Sequence, residues 1–161
     1  LESGGLAMTP KRHGIHQLVD AASAQAAPGA EAKAITLTVE PTDLTARFDP
    51  KWTAEALYNL VDNAVKYTPA GGAVTLRAVG YELFCRVDVT DTGPGIPESE
   101  QARIFQRFYR SPSASEAEGV GIGLYLARQI AAGQGGYLKV SSRPGEGSTF
   151  SLFLPRAEER T

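Results

Sequence analysis

The 161-residue chain is 42% hydrophobic and 21% charged, with a formal net charge of −2 and a pI near 5.7. That length suits one globular domain with a real core, and the near-neutral balance supplies no basic field for nucleic acid. Its one cysteine, Cys85, excludes an internal disulfide and a cysteine-rich metal site, while no apolar run approaches the roughly 18 residues of a membrane helix and no signal-peptide pattern opens the chain. The opening LESGGLAMTPKRHG, with adjacent glycines and a proline, reads as a boundary or linker. Ile15, Leu18, Val19 and Ala22 recur at helical spacing until Pro28-Gly29, where the helix is predicted to stop. Ile35, Leu37 and Val39 alternate, as do Leu44, Ala46 and Phe48, so a hairpin is predicted. A helix follows over residues 50–67, closed by Pro69 and Gly71-Gly72. AVTLRAVG and LFCRVDVTD read as strands around Gly80-Tyr81, with Cys85 a buried structural thiol. A short helical piece is predicted over 97–108, followed by SPSASEAEG, which reads as a mobile loop. A helix over 122–132 and a closing hairpin, YLKVSS and STFSLFLP around Pro144-Gly145, complete the chain. Helices mixed with closely spaced strands favour a two-layer α/β sandwich over a doubly wound parallel sheet.

Three segments carry chemistry. In LYNLVDNAVKYTP, 100° per residue places Asn63 about 40° and Lys66 about −20° from Asn59, opposite the apolar Leu57, Leu60, Val61 and Ala64. Two amide oxygens one turn apart suit a magnesium ion completed by water and phosphates. Lys66 can meet a phosphate as a point charge, and Tyr67 offers a ring for a base. The same stripe also fits a solvated helix face. In LFCRVDVTDTGPGIP, Leu83, Cys85, Val87 and Val89 alternate onto one face, and parity adds Asp91. A carboxylate there is costly without a partner, and an exocyclic amine such as adenine's would supply one. A plain Asp-Thr-Gly turn is the alternative. In GVGIGLYLARQIAA, Gly119, Gly121 and Gly123 precede a helix, where free N–H groups suit a phosphate chain or where glycines merely form a hinge. The string is neither a P-loop nor a dinucleotide-binding fingerprint.

Taken in order, NLVDNAVKYTP, DTGPGIP, IFQRFYR and GVGIGL resemble the asparagine box, first glycine box, phenylalanine box and second glycine box of sensor histidine kinases. These enzymes share a superfamily with type II topoisomerases, ninety-kilodalton heat-shock chaperones and mismatch-repair ATPases. The resemblance spans roughly residues 15–155 and implies a Bergerat ATP-binding fold: a mixed, mostly antiparallel sheet packed against about three helices. It implies a catalytic domain over residues 15–156, preceded at 1–14 by a linker and the tail of a dimerisation domain, with 157–161 a C-terminal tail. It further implies that Asn63, assisted by Asn59, holds Mg²⁺, that Lys66 meets the phosphates, and that Tyr67 packs on adenine. Asp91 would read the adenine amine, with Gly93, Gly95 and Ile96 shaping that end. Phe105 and Phe108 would frame a lid over ATP formed by residues 111–118. Gly119, Val120, Gly121, Ile122, Gly123 and Leu124 would approach the triphosphate, with Arg110 beside the lid and Thr149 completing the contacts. Val120 stands where threonine is common, and Arg107 and Arg110 stand in for a basic lid residue.

In the hydrolysing relatives a glutamate occupies the position of Asn59 and activates water, whereas an amide has no basic function at neutral pH. The resemblance therefore implies a protein-histidine kinase (EC 2.7.13.3), which keeps the γ-phosphoryl group for a histidine. Neither His13, followed by Gly14, nor His16, followed by Gln17, fits the acceptor pattern. The acceptor is expected on a separate dimerisation domain, with a response regulator downstream and no nucleic-acid partner. The isolated domain is expected to be a monomer and the full-length protein a homodimer. The domain is expected in the cytoplasm, with the full-length protein anchored in the inner membrane. A serine kinase of the anti-sigma type, or a degenerate nucleotide-binding module, would share the pocket.

Overall fold

Helix α2 (Pro50–Tyr67) starts at Asp49, whose carboxylate accepts the N–H groups of Lys51 (2.9 Å) and Trp52 (3.0 Å), with Pro50 at the first helical position. Leu57, Leu60, Val61, Ala64 and Val65 recur at helical spacing and are buried. At the other end Lys33 donates from Nζ to the carbonyls of Val65 and Lys66, which the helix itself leaves unpaired. The structure, a computed structural model, describes residues 7–106 and 122–156.

Before α2 come β1 (Lys11–Gly14), α1 (Ile15–Ala32), β2 (Thr36–Val39) and β3 (Thr45–Phe48). After it come β4 (Ala73–Gly80), β5 (Phe84–Asp91), the short α3 (Glu98–Gln101), α4 (Ile122–Gly133), β6 (Tyr137–Ser142) and β7 (Ser148–Pro155). Five strands form one sheet in the order β2-β4-β5-β7-β6, and β1 pairs with β3 in a second. Within the large sheet β2–β4 is parallel and the other pairs are antiparallel. Helix α2 packs between α1 and α4 against one sheet face. There Val74, Leu76, Val87, Val89, Phe150, Leu152 and Leu154 meet Leu57, Leu60, Val61 and Ile130 in one core. This is the two-layer α/β sandwich predicted from the sequence. On the outer face the rings of Tyr137 and Phe153 stack at 4.3 Å, with Phe84 edge-on.

Several local expectations are corrected. Helix α1 continues through Pro28-Gly29 to Ala32, because Ala22, Ala26 and Ala30 are buried while Pro28 and Gly29 face solvent. Packing along that face outweighs the local cost of an interior proline. The hairpin predicted for residues 35–48 does not form. Its first strand pairs with β4, Thr36 opposite Ala73, and its second pairs with β1, Phe48 opposite Lys11. The segment expected as linker thus ends in a strand. Of the helical piece expected over 97–108, the described residues are helical at Glu98–Gln101 and then turn through residues 102–105. Cys85 is buried as expected, and its Sγ donates to the Thr45 carbonyl at 3.2 Å. Burial pushes the Cys85 thiol up.

Beyond capping α2, Asp49 gathers three segments. It is buried, and its Oδ2 accepts from Thr9 N (2.8 Å) and Thr9 Oγ1 (3.3 Å). Its own N–H donates to Gln134 Oε1 (2.6 Å), and Gln134 Nε2 donates to Thr53 Oγ1 (2.7 Å). Burial pushes the Asp49 carboxyl up, but the bonds from Thr9, Trp52 and Lys51 outweigh it and hold the group below 3.8. A lowered folded value means that this stabilisation is present above 3.8 and is lost as pH falls through the depressed value. Asp49→Ala is predicted to lose about 2 kcal/mol in denaturant titration. Asp49→Asn, which still caps, should lose less, and its deficit should shrink as the pH is lowered.

Candidate functional site

The polar face of α2 lies opposite its buried face. Asn59 and Asn63 are half-buried there, and Lys66 is exposed at 3.1 Å from Asp62 one turn earlier. Asn59 meets the first turn of α4: its Oδ1 lies 3.3 Å from where a Cβ on Gly123 would stand. The fold therefore brings Asn59 and Gly123 together, as their order alone could not show. A hard divalent ion takes oxygen ligands and keeps several waters. Among the described residues there is no cluster of three or more His, Cys, Asp or Glu side chains. Two neutral amide oxygens one turn apart fit an ion completed by water and phosphate, and do not form a closed cage. Tyr67, half-buried, ends the helix with its carbonyl turned toward Gly93, 3.0 Å from where that residue's Cβ would be.

Beside the C-terminus of α2, across Gly93 from the Tyr67 carbonyl, stands Asp91, the last residue of β5. It lies opposite Val74 and Ser148 in the register and is 8% exposed, on the face that parity assigns. Its Oδ1 accepts from Gly93 N at 2.8 Å. Burial pushes this carboxyl above 3.8, and the N–H groups of Gly93 and Ser148 offset that only in part. Among the described residues no cation pairs with it. A buried carboxylate without countercharge is costly, which marks a site where a ligand supplies the missing donor. Beside it Thr68 is fully buried, and its Oγ1 has no hydrogen-bond partner. An unsatisfied buried hydroxyl costs about 1–3 kcal/mol.

The glycine turn after Asp91 is fastened to the β6–β7 hairpin. Ser142 Oγ accepts from Ile96 N (2.7 Å) and donates to the Gly147 carbonyl (2.9 Å). Its single proton being used there, the 2.8 Å contact with Ser148 Oγ has Ser148 as donor. Gln101 Nε2 donates to the carbonyls of Ile96 (2.8 Å) and Ser142 (3.0 Å), and Gly145 N donates to Pro94 O (2.6 Å). Gly95, at φ +81°, admits no side chain: a Cβ would lie 2.1 Å from the Arg143 carbonyl. Sequence reasoning missed Ser142 and Gln101, because neither belongs to a motif; the one signal was a serine pair closing a strand.

Ile96 and Leu124 are half-buried against the core. Phe105 meets Phe150 edge-on at 6.0 Å. Thr149 is corrected. It lies opposite Thr90 on the outer sheet face and shares a 3.0 Å hydrogen bond with it, because strand parity turns Ser148, one residue earlier, toward Asp91. Of the expected site, Phe108, Arg110, Gly119, Val120 and Gly121, the Ile122 side chain, Arg107 and the lid 111–118 lie outside the described residues.

Comparison with known proteins agrees with this geometry. Residues 48–158 match the family model of histidine kinase-, DNA gyrase B- and HSP90-like ATPases. The adaptive-response sensory kinase SasA of Synechococcus sp. (strain JA-3-3Ab) is 42% identical over 131 residues, covering 80% of this chain and 35% of that protein. The chain thus spans about a third of the length of that relative. Full-length ShkA, solved in complex with AMPPNP, superposes with a TM-score of 0.83 at 28% identity, over 98% of this chain and 33% of ShkA. The mycobacterial sensor histidine kinase MprB superposes with a TM-score of 0.80 at 26% identity, over 92% of this chain and 99% of that one. With its family model matched over residues 48–158, the chain belongs to the histidine kinase-, DNA gyrase B- and HSP90-like ATPase family.

Proposed function

We propose that this chain is the catalytic domain, over residues 15–156, of a sensor histidine kinase. It binds Mg-ATP and gives the γ-phosphoryl group to a histidine on a separate dimerisation domain, the first step of two-component signalling. The observation that carries the proposal is the placement of α2, whose Asn59 abuts Gly123 while its C-terminal end lies across Gly93 from buried Asp91. SasA is named a sensory kinase, and ShkA is solved with AMPPNP. Asp91 accepts the purine amine, Gly93 and Gly95 keep its surroundings clear, and Tyr67 covers the base. Asn63 and Asn59 hold Mg²⁺, which neutralises charge on the phosphates. Lys66 reaches the same phosphates, as do the backbone N–H groups of residues 119–123. Phe108 frames the lid of residues 111–118, and Arg110 stands before it. With an amide at Asn59 rather than a carboxylate, nothing at that position takes a proton from water, so hydrolysis is slow and the phosphoryl group is kept. His13 leans on the Phe48 ring at 5.4 Å, which suits a packing residue rather than an acceptor.

A response regulator is the downstream partner, and nucleic acid is not one. The domain works as a cytoplasmic monomeric unit within a homodimer that is anchored in the inner membrane by segments outside this chain. No helix among the described residues is long and apolar enough to cross a membrane.

Calorimetry with an ATP analogue, with and without Mg²⁺, tests the site. Asn63→Ala is predicted to weaken only the metal-dependent affinity, and Asp91→Ala to weaken both by about ten- to a hundredfold. Because the folded value of Asp91 is raised, its ionisation opposes folding as pH climbs above 3.8. The stability of Asp91→Asn relative to wild type should therefore increase with pH in the nucleotide-free protein. With γ-labelled ATP the domain alone should carry no label on His13 or His16, and adding its dimerisation domain should give phosphohistidine there. Brisk ATP hydrolysis by the isolated domain would overturn the kinase assignment.

A further inference from the structure

We infer that Thr68 is a second purine-reading residue, whose hydroxyl donates to the ring nitrogen beside the exocyclic amine that Asp91 accepts. This rests on the reading of the groove as an adenine-nucleotide site. Thr68 caps the C-terminus of α2, its own N–H donating to Ala64 O at 3.1 Å, so its backbone is fixed. The side chain is held between two glycines. Its methyl lies 2.4 Å from where a Cβ on Gly72 would stand, and its hydroxyl lies 3.3 Å from where a Cβ on Gly93 would stand. The methyl thus fills one side, and the hydroxyl is turned toward Asp91. That same absent Cβ on Gly93 would be 3.1 Å from Asp91 Oδ1 and 3.0 Å from the Tyr67 carbonyl. Three oxygens thus crowd around Gly93, and of these only the Thr68 hydroxyl can donate a proton while Asp91 is ionised.

The hydroxyl is buried, yet it bonds to none of its neighbours. Native structures rarely leave such a group unpaired, so a partner outside the protein chain, water or ligand, completes it. Adenine offers an amine donor next to a ring-nitrogen acceptor. Guanine offers a carbonyl next to an N–H, the reverse order. A carboxylate beside a hydroxyl donor matches the first and opposes the second. A lone carboxylate reads only half of that edge, and a site that hydrogen-bonds both halves discriminates more strongly than one that bonds a single group.

The experiment is a calorimetric cycle on the full chain, pairing Thr68→Val, which keeps the shape and removes the hydroxyl, with 1-deaza-ATP, which lacks the ring nitrogen. Thr68→Val is expected to bind ATP about tenfold more weakly than wild type, while the two proteins bind 1-deaza-ATP alike. Its melting temperature should hold or rise, because an unpaired polar group has gone. Thr68→Ser, which keeps the hydroxyl, should restore most of the ATP affinity and covers the case in which the valine variant does not fold. ATP binding by Thr68→Val equal to that of wild type overturns the inference and leaves the groove assignment standing. Equal losses for ATP and 1-deaza-ATP, or a serine variant as weak as valine, also overturn it by making Thr68 a packing residue. A wild-type protein that binds neither nucleotide removes the groove assignment itself, and this inference with it.

Discussion

One carboxylate, placed where a strand face turns into a pocket, constrains the rest of the site. Asp91 closes the alternation of β5 on the core side, so the packing that buries Val87 and Val89 buries it too. Its neighbours answer it with backbone N–H groups rather than with a cation. Those bonds are too few to return the carboxyl to its ordinary value. Everything around it keeps a gap open. Gly93 leaves out a side chain, Gly95 lets its turn lie against Arg143, and Ser142 and Gln101 hold that turn to the β6–β7 hairpin. The pocket is thus built by restraining backbone, and its one charge stays short of partners.

Two of the buried aspartates, Asp49 and Asp91, make the logic plain by contrast. Asp49 accepts four hydrogen bonds at a helix start and strengthens the fold as it ionises. Asp91 accepts fewer, and weakens the fold as it ionises. The same residue type is structural where its oxygens are filled and functional where they are not. Thr68, fully buried with an idle hydroxyl beside Asp91, belongs with the second kind. Free energy withheld from folding at these positions is available to a ligand that completes them.

How far the sequence could be read depended on whether the deciding interactions were local. The span of α2 was legible because Asp49, Pro50 and the apolar spacing all lie within it. So was the side on which Asp91 falls, since parity along a strand is a local rule. The partner of β2 was not legible: Leu37 and Val39 alternate equally well in a hairpin or in the parallel pair with β4. The run of α1 through Pro28 depended on neighbours that bury Ala26 and Ala30, which no local pattern contains. Thr149 shows the narrowest failure. The motif placed the right strand end, but motif position carries no parity, and the register gives the inward place to Ser148. Ser142 and Gln101 act through backbone atoms of a distant segment, and such contacts leave no spacing signature.

The amide helix has one further physical consequence. Lys66 is held by Asp62, yet to serve a phosphate it must turn away from it. Both side chains are about a third exposed, at 37% and 32%, so solvent screens the pair. A helical pair of this kind stabilises by only about 0.3–0.5 kcal/mol. On the proposed reading, a multiply charged phosphate would compete readily with that single carboxylate for the ammonium, and Lys66 would need only a change of rotamer to meet it. The core face of α2 can then remain packed through binding and release, since what changes lies on the face that the core does not use.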